Sequence, residues 1–84
     1  MQSVESVLRE YITKEIAAGS GSPPIEDSTK LIESGILDSL GVLKLVIFVE
    51  GKFGLKIAPT EVIPANFETV AALGDFVRRK APGQ

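Results

Sequence analysis

Apolar residues recur at helical spacing from the start of the chain, with Val4, Val7, Leu8, Tyr11, Ile12 and Ile16 on one face and polar residues between them. With Ser3 available as an N-cap and Gly19 as a stop, the spacing predicts an amphipathic helix over residues 3 to 18. The pattern breaks at Gly19-Ser20-Gly21-Ser22-Pro23-Pro24, which cannot continue a helix and opens a connection running to Leu37. A loop of almost 20 residues is unusual in a small domain. Ile25, Leu31, Ile36 and Leu37 are apolar enough to pin it on a core, and Asp27-Ser28-Thr29 is suited to start a short turn at Lys30-Leu31-Ile32. The loop is therefore read as packed.

From Ser39 to Phe53 the chain is nearly continuously apolar. A buried strand shows the same pattern, but a length of about 15 residues ending in Phe53-Gly54 favours a helix with a glycine stop. Spacing residues at ~100° puts Val42, Leu43, Leu45, Val46, Val49 and Phe53 on a broad inward face. Gly41, Lys44, Phe48, Gly51 and Lys52 then face outward, with Leu40 and Ile47 at the border. Leu55-Lys56-Ile57-Ala58-Pro59 reads as extended linker, since a strand at 55 to 57 would lack a mate, and Thr60-Glu61-Val62-Ile63 reads as one irregular turn that Pro64 ends. Thr69 caps a last helix through about Lys80, with Val70, Leu73, Phe76 and Val77 inward, Gly74 a slight weakness, and Arg78, Arg79 and Lys80 at the negative end of its dipole. Residues 81–84 are expected to fray.

At 84 residues the chain is expected to be a single domain, 1–84, with one modest core. It contains no cysteine and no histidine, so there is no disulfide, no thiolate metal site and no imidazole base, and both absences argue against an enzyme. No apolar run reaches membrane-spanning length and the N-terminus lacks the pattern of a signal peptide, so a cytoplasmic protein with no membrane insertion is expected. The net charge of −2 is too mild to indicate nucleic acid. Its distribution is uneven: residues 1 to 38 carry seven acids against three bases, whereas residues 39 to 84 carry four acids against six bases.

The chemistry concentrates where these halves meet, in Gly35-Ile36-Leu37-Asp38-Ser39-Leu40. Ser39 falls at the start of the long apolar helix, where unpaired N–H groups and the positive end of the dipole favour an anion such as a phosphodiester. Asp38 caps or flanks that end. With its helix, long pinned loop, Asp-Ser-Leu at a helix start, Phe53-Gly54 and Thr-capped last helix, the chain resembles the acyl carrier protein family over essentially its whole length. The resemblance implies an all-α, four-helix acyl-carrier-like bundle with a long first loop and a short third helix. It also implies a 4′-phosphopantetheine cofactor, taken from coenzyme A and attached to Ser39, with Asp38 and Leu40 beside it. The arm would provide the thiol that a cysteine-free chain lacks.

The implied function is to hold acyl or aminoacyl groups as thioesters, in the setting of fatty acid, polyketide or nonribosomal peptide biosynthesis. The implied partners are a phosphopantetheinyl transferase, an adenylating acyl or aminoacyl ligase, and downstream acyltransferase or synthase enzymes. Gly41, Lys44, Ile47, Phe48, Lys52, Val62 and Ile63 are the expected recognition residues, with Leu40, Val62 and Ile63 lining the arm, and the protein is expected to be a monomer. Residues 39 to 56 hold Lys44, Lys52 and Lys56 against Glu50 alone, where carriers of bulk fatty acid synthesis are acidic, which points to a specialised pathway. Leu37-Asp38-Ser39-Leu40-Gly41 is also similar to D-alanyl carriers and to stand-alone carriers that work beside adenylating ligases. The alternatives are thus a D-alanyl, aminoacyl or peptidyl carrier, a small unmodified helical interaction module in which Ser39 only caps, or a domain cut from a larger synthase. Met1 and the short tail favour a free-standing protein.

Overall fold

The computed structural model describes residues 3–16 and 24–80. Ser3 accepts the N–H of Ser6 on its hydroxyl at 3.1 Å and starts α1 (Val4–Tyr11), which a π turn (Ile12–Ile16) continues. The expected stop at Gly19, the bend that follows and the fraying tail lie outside the described residues. Three further helices follow: α2 (Ser39–Phe53), the single-turn α3 (Pro64–Phe67) and α4 (Val70–Lys80). Among the described residues there is no strand, and residues 55–58 run extended without a ladder partner. A 3₁₀ turn at Pro59–Glu61 precedes α3, and Pro64 opens that helix instead of ending a turn. The reason is that proline's fixed φ and missing N–H suit the first helical position as well as they suit a stop.

α1 and α4 pack against each other, and Leu8 of α1 and Ile12 of the π turn are buried in one cluster with Val70, Leu73, Phe76 and Val77. Leu45 and Val49 of α2 and Phe67 of α3 complete the helical part of the core, with the Phe67 and Phe76 rings 6.2 Å apart and tilted. The long loop is packed, as its apolar residues require: Ile25, Leu31 and Leu37 are buried. Its backbone is also tied down. Ala71 donates its N–H to the Asp27 carbonyl at 3.0 Å, Leu31 donates to Glu68 at 2.8 Å, and Arg9 of α1 pairs with the Asp27 carboxylate. Thr69 accepts the N–H of Ala72 at 3.0 Å as the cap of α4. No helix among the described residues is long and apolar enough to cross a membrane.

Gly74 has a packing role that its low helix propensity conceals. The Glu5 carboxylate lies over it, with Cδ only 2.8 Å from where a Cβ would stand, and reaches Arg78 at 2.7 Å. At the other end of α4, Lys80 meets Glu61 at 2.9 Å, and Glu61 also accepts the N–H of Ala58 at 2.8 Å. The Arg78 hydrogen bond holds the Glu5 carboxyl below its ordinary 4.5, and the Lys80 hydrogen bond does the same for Glu61. A carboxyl whose folded pKa is depressed contributes stability in full above the unfolded value, and that contribution is lost as pH falls through the folded value. The urea midpoint is therefore expected to drop as pH falls below about 4.5. Glu5→Gln should make that drop shallower, and an equal pH slope in the variant would show that the pair contributes nothing.

Candidate functional site

The start of α2 is built by Asp38. Its backbone is extended (φ −101°, ψ −172°), its carbonyl accepts the N–H of Val42 at 2.9 Å, and its carboxylate accepts the N–H of Gly41 at 2.8 Å. This is the N-cap geometry in which a side-chain oxygen satisfies a first-turn donor. Ser39 is then the first residue of the helix and is exposed. By helix geometry the N–H groups of Ser39 and Leu40 have no intrahelical acceptor, so the serine hydroxyl stands beside free donors at the positive end of a helix dipole. Replacing the cap in Asp38→Ala is expected to cost about 0.5–2 kcal/mol in a denaturation experiment. An unchanged midpoint would mean that the carboxylate does not hold this helix start.

Gly41 is buried, which differs from the outward position expected of it. A Cβ there would lie 3.3 Å from both Asp38 Oδ1 and Leu37 Cδ2 and 3.5 Å from Ile16 Cγ2, so the glycine lets the end of the π turn and Leu37 close on the helix start. Phe48, expected to be an exposed anchor, is half-buried and stacked on Tyr11 with ring centroids 4.0 Å apart and planes 11° from parallel. Tyr11 also donates its hydroxyl to the Lys44 carbonyl at 3.4 Å, and burial raises its pKa. Leu43, placed inward by the sequence reading, is 54% exposed. These three corrections have one cause: α2 is turned by about 50°, half a residue's step, from the expected setting.

After that correction the outward stripe is Leu40 at 60%, Leu43 and Ile47 at 62% exposed, spaced i, i+3 and i+7 from the residue after Ser39. Lys44 flanks the stripe and is exposed. Lys52 is exposed too, but it borders a recess of about 180 Å³ with Tyr11, Lys14 and Phe48, on the side of α2 that faces α1. Val62 and Ile63, in the short link between the 3₁₀ turn and α3, are exposed apolar residues as well. The sequence reading missed Leu43. What fixes the inward side is the close approach of Leu37 and Ile16 to Gly41, a tertiary contact with no signal in the sequence.

Comparison with known proteins puts these features in a family context. Residues 6–77 match the family described as a phosphopantetheine attachment site. The chain is 32% identical over 76 residues to the probable acyl carrier protein PigG of a Serratia species, covering 90% of this chain and 86% of that protein. It is 33% identical over 79 residues to the lincomycin biosynthesis protein LmbN of Streptomyces lincolnensis, where it covers 94% of this chain but spans only 28% of the relative's length. Among solved structures it is similar to a chain in a crystal structure described as an FAD-dependent dehydrogenase, with a TM-score of 0.76 and 31% identity. That match covers 83% of this chain and 97% of the other, so the similar chain is itself small.

Proposed function

The chain belongs to the acyl carrier family with a phosphopantetheine attachment site, and from that premise we propose that Ser39 is the residue that carries 4′-phosphopantetheine. The observation that carries the proposal is the exposed Ser39 hydroxyl at the first position of a helix whose start is fixed by the Asp38–Gly41 hydrogen bond. The residues fit a phosphodiester there, because the donors of Ser39 and Leu40 are unpaired within the helix and the dipole favours negative charge. When bound, the arm supplies a thiol on which acyl or aminoacyl groups are held as thioesters. The chain's own work is to present the Ser39 oxygen to a phosphopantetheinyl transferase, to hold its orientation through Asp38, and to offer Leu40, Val62 and Ile63 as apolar surface for cargo.

The chain contributes no catalytic group in this reading, which accords with the absence of histidine and cysteine. Its setting is a specialised biosynthetic pathway in the cytoplasm, supported by similarity to a lincomycin biosynthesis protein and by lysines on and after α2. The clients are an adenylating ligase that loads the arm and enzymes that act on the bound cargo. A flavin-dependent dehydrogenase is one client class worth assaying, because the similar small chain occurs in a structure named for such an enzyme. The test is intact mass after incubation with coenzyme A, Mg²⁺ and a broad-specificity phosphopantetheinyl transferase. One added phosphopantetheinyl group supports the assignment, and none with several transferases overturns it.

A further inference from the structure

Among the described residues only Gly35 and Gly54 have a positive φ, at 85° and 66°. Gly54 ends α2. Gly35 lies in no helix and turns the chain within the loop that leads to Ser39. Over residues 31–37 that loop closes on itself: Leu37 donates its N–H to the Leu31 carbonyl at 2.9 Å and Gly35 donates to Ile32 at 3.1 Å. Leu31 and Leu37 are both buried, and Leu31 is tied in turn by its N–H to the Glu68 carbonyl, 2.8 Å away, just before α4. The closed loop sets Leu37 against the start of α2, where its Cδ2 stands 3.3 Å from the place a Cβ on Gly41 would take. Gly41 gives its N–H to the Asp38 carboxylate. Only Asp38 separates Leu37 from Ser39, so the direction in which the loop delivers the chain decides where the serine oxygen stands.

We propose that Gly35 is a positioning residue for the attachment reaction: its left-handed backbone closes the 31–37 loop, and that closure holds the Asp38 cap and the Ser39 oxygen in place. The proposal rests on the carrier reading for the reaction but not for the geometry. A residue with a Cβ is strained at this φ whatever the space around it. The space itself is open, because a Cβ on Gly35 would meet nothing within 4 Å. Alanine at this position therefore changes one thing, the cost of the backbone angle, and the loop relieves that cost by giving up the turn that brings the Leu37 N–H to Leu31. Leu45 and Val49 stay buried when the loop opens, so the body of α2 remains in place and the loss falls on the placement of the oxygen. Misplacing a reacting atom costs rate and leaves binding largely intact. Gly54 supplies a matched comparison, since it has the same sign of φ and the same open surroundings but lies at the other end of a 15-residue helix.

The experiment compares Gly35→Ala, Gly35→Asn and Gly54→Ala with the wild-type protein, using coenzyme A, Mg²⁺ and a broad-specificity phosphopantetheinyl transferase, with initial rates followed by intact mass. Gly35→Ala is expected to lower kcat at least about fivefold while KM for the protein stays within about twofold of wild type. Gly35→Asn should recover most of that loss, because asparagine tolerates a left-handed backbone. Gly54→Ala should lower the urea midpoint about as much as Gly35→Ala does and keep the wild-type kcat. In the apo proteins, amide hydrogen exchange at Leu37 and Gly41 should quicken in Gly35→Ala and stay unchanged in Gly54→Ala. An unchanged kcat in Gly35→Ala, an equal kcat loss in Gly54→Ala, or a loss carried wholly by KM would overturn the proposal and leave Gly35 a turn residue of structural value alone. Absence of uptake by the wild-type protein is a different result: it overturns the carrier reading and this role with it, whereas wild-type uptake with any of the other three outcomes overturns only the role of Gly35.

Discussion

Ser39→Ala is expected to abolish phosphopantetheinylation completely while leaving the fold intact. Covalent attachment requires one particular oxygen, so its removal is all-or-none in an intact-mass measurement. The hydroxyl is exposed at the first position of α2, and the helix start is held by Asp38, so the substitution should change stability by less than about 0.5 kcal/mol. Neighbouring serines are poor substitutes. Ser3 is occupied as the cap of α1, and Ser34 donates its hydroxyl to the Leu31 carbonyl at 3.4 Å within a turn. Neither is the first residue of a helix: Ser3 stands one position earlier, at the N-cap of α1, where its oxygen already accepts the N–H of Ser6. Uptake by the alanine variant, or modification mapped to another serine, would show that the α2 start is not the attachment point.

The second large effect concerns two leucines only two positions apart. Leu45 is fully buried and Leu43 is about half exposed, at 54%. Leu45→Ala deletes packed methyl groups from the buried cluster and leaves a cavity in their place, so a loss of about 2–5 kcal/mol is expected. Set against a typical domain stability of roughly 5–15 kcal/mol, that is a large fraction. Leu43→Ala removes only partly exposed surface and should cost less than about 0.5 kcal/mol. Urea denaturation of both variants under one buffer decides the setting of α2. Similar midpoints would mean that the helix is turned toward the orientation expected from sequence, in which both leucines face inward.

The corrected rotation shows where sequence reading runs out. Elements bounded by strong chemistry were legible: Ser3, Asp38 and Thr69 each cap the helix expected of them, Gly54 ends α2 in a left-handed conformation at φ 66°, and the apolar residues of the long loop are buried. The side of α2 was not. Its residues are apolar on nearly every face, so the contrast that normally orients a helix is weak. What decides the setting lies in tertiary contacts, namely the approach of Ile16 and Leu37 to Gly41 and the stacking of Tyr11 on Phe48. The link before α3 was ambiguous for a different reason, because Pro64 is equally at home at a helix start and just beyond a helix end. For the candidate site, the position of Ser39 on a helix start followed from the local motif, while the stripe of Leu40, Leu43 and Ile47 required the rotation.

Tyr11 is the chain's single tyrosine, and there is no tryptophan. Its ring lies against Phe48, so the contact between α1 and α2 has a spectroscopic signature of its own. Tyrosine fluorescence and the tyrosine bands of near-ultraviolet circular dichroism arise from that one stacked ring, undiluted by other chromophores of their kind. Events that spread the two helices, whether loading of cargo or engagement of an enzyme, can therefore be followed in the unlabelled protein by light alone.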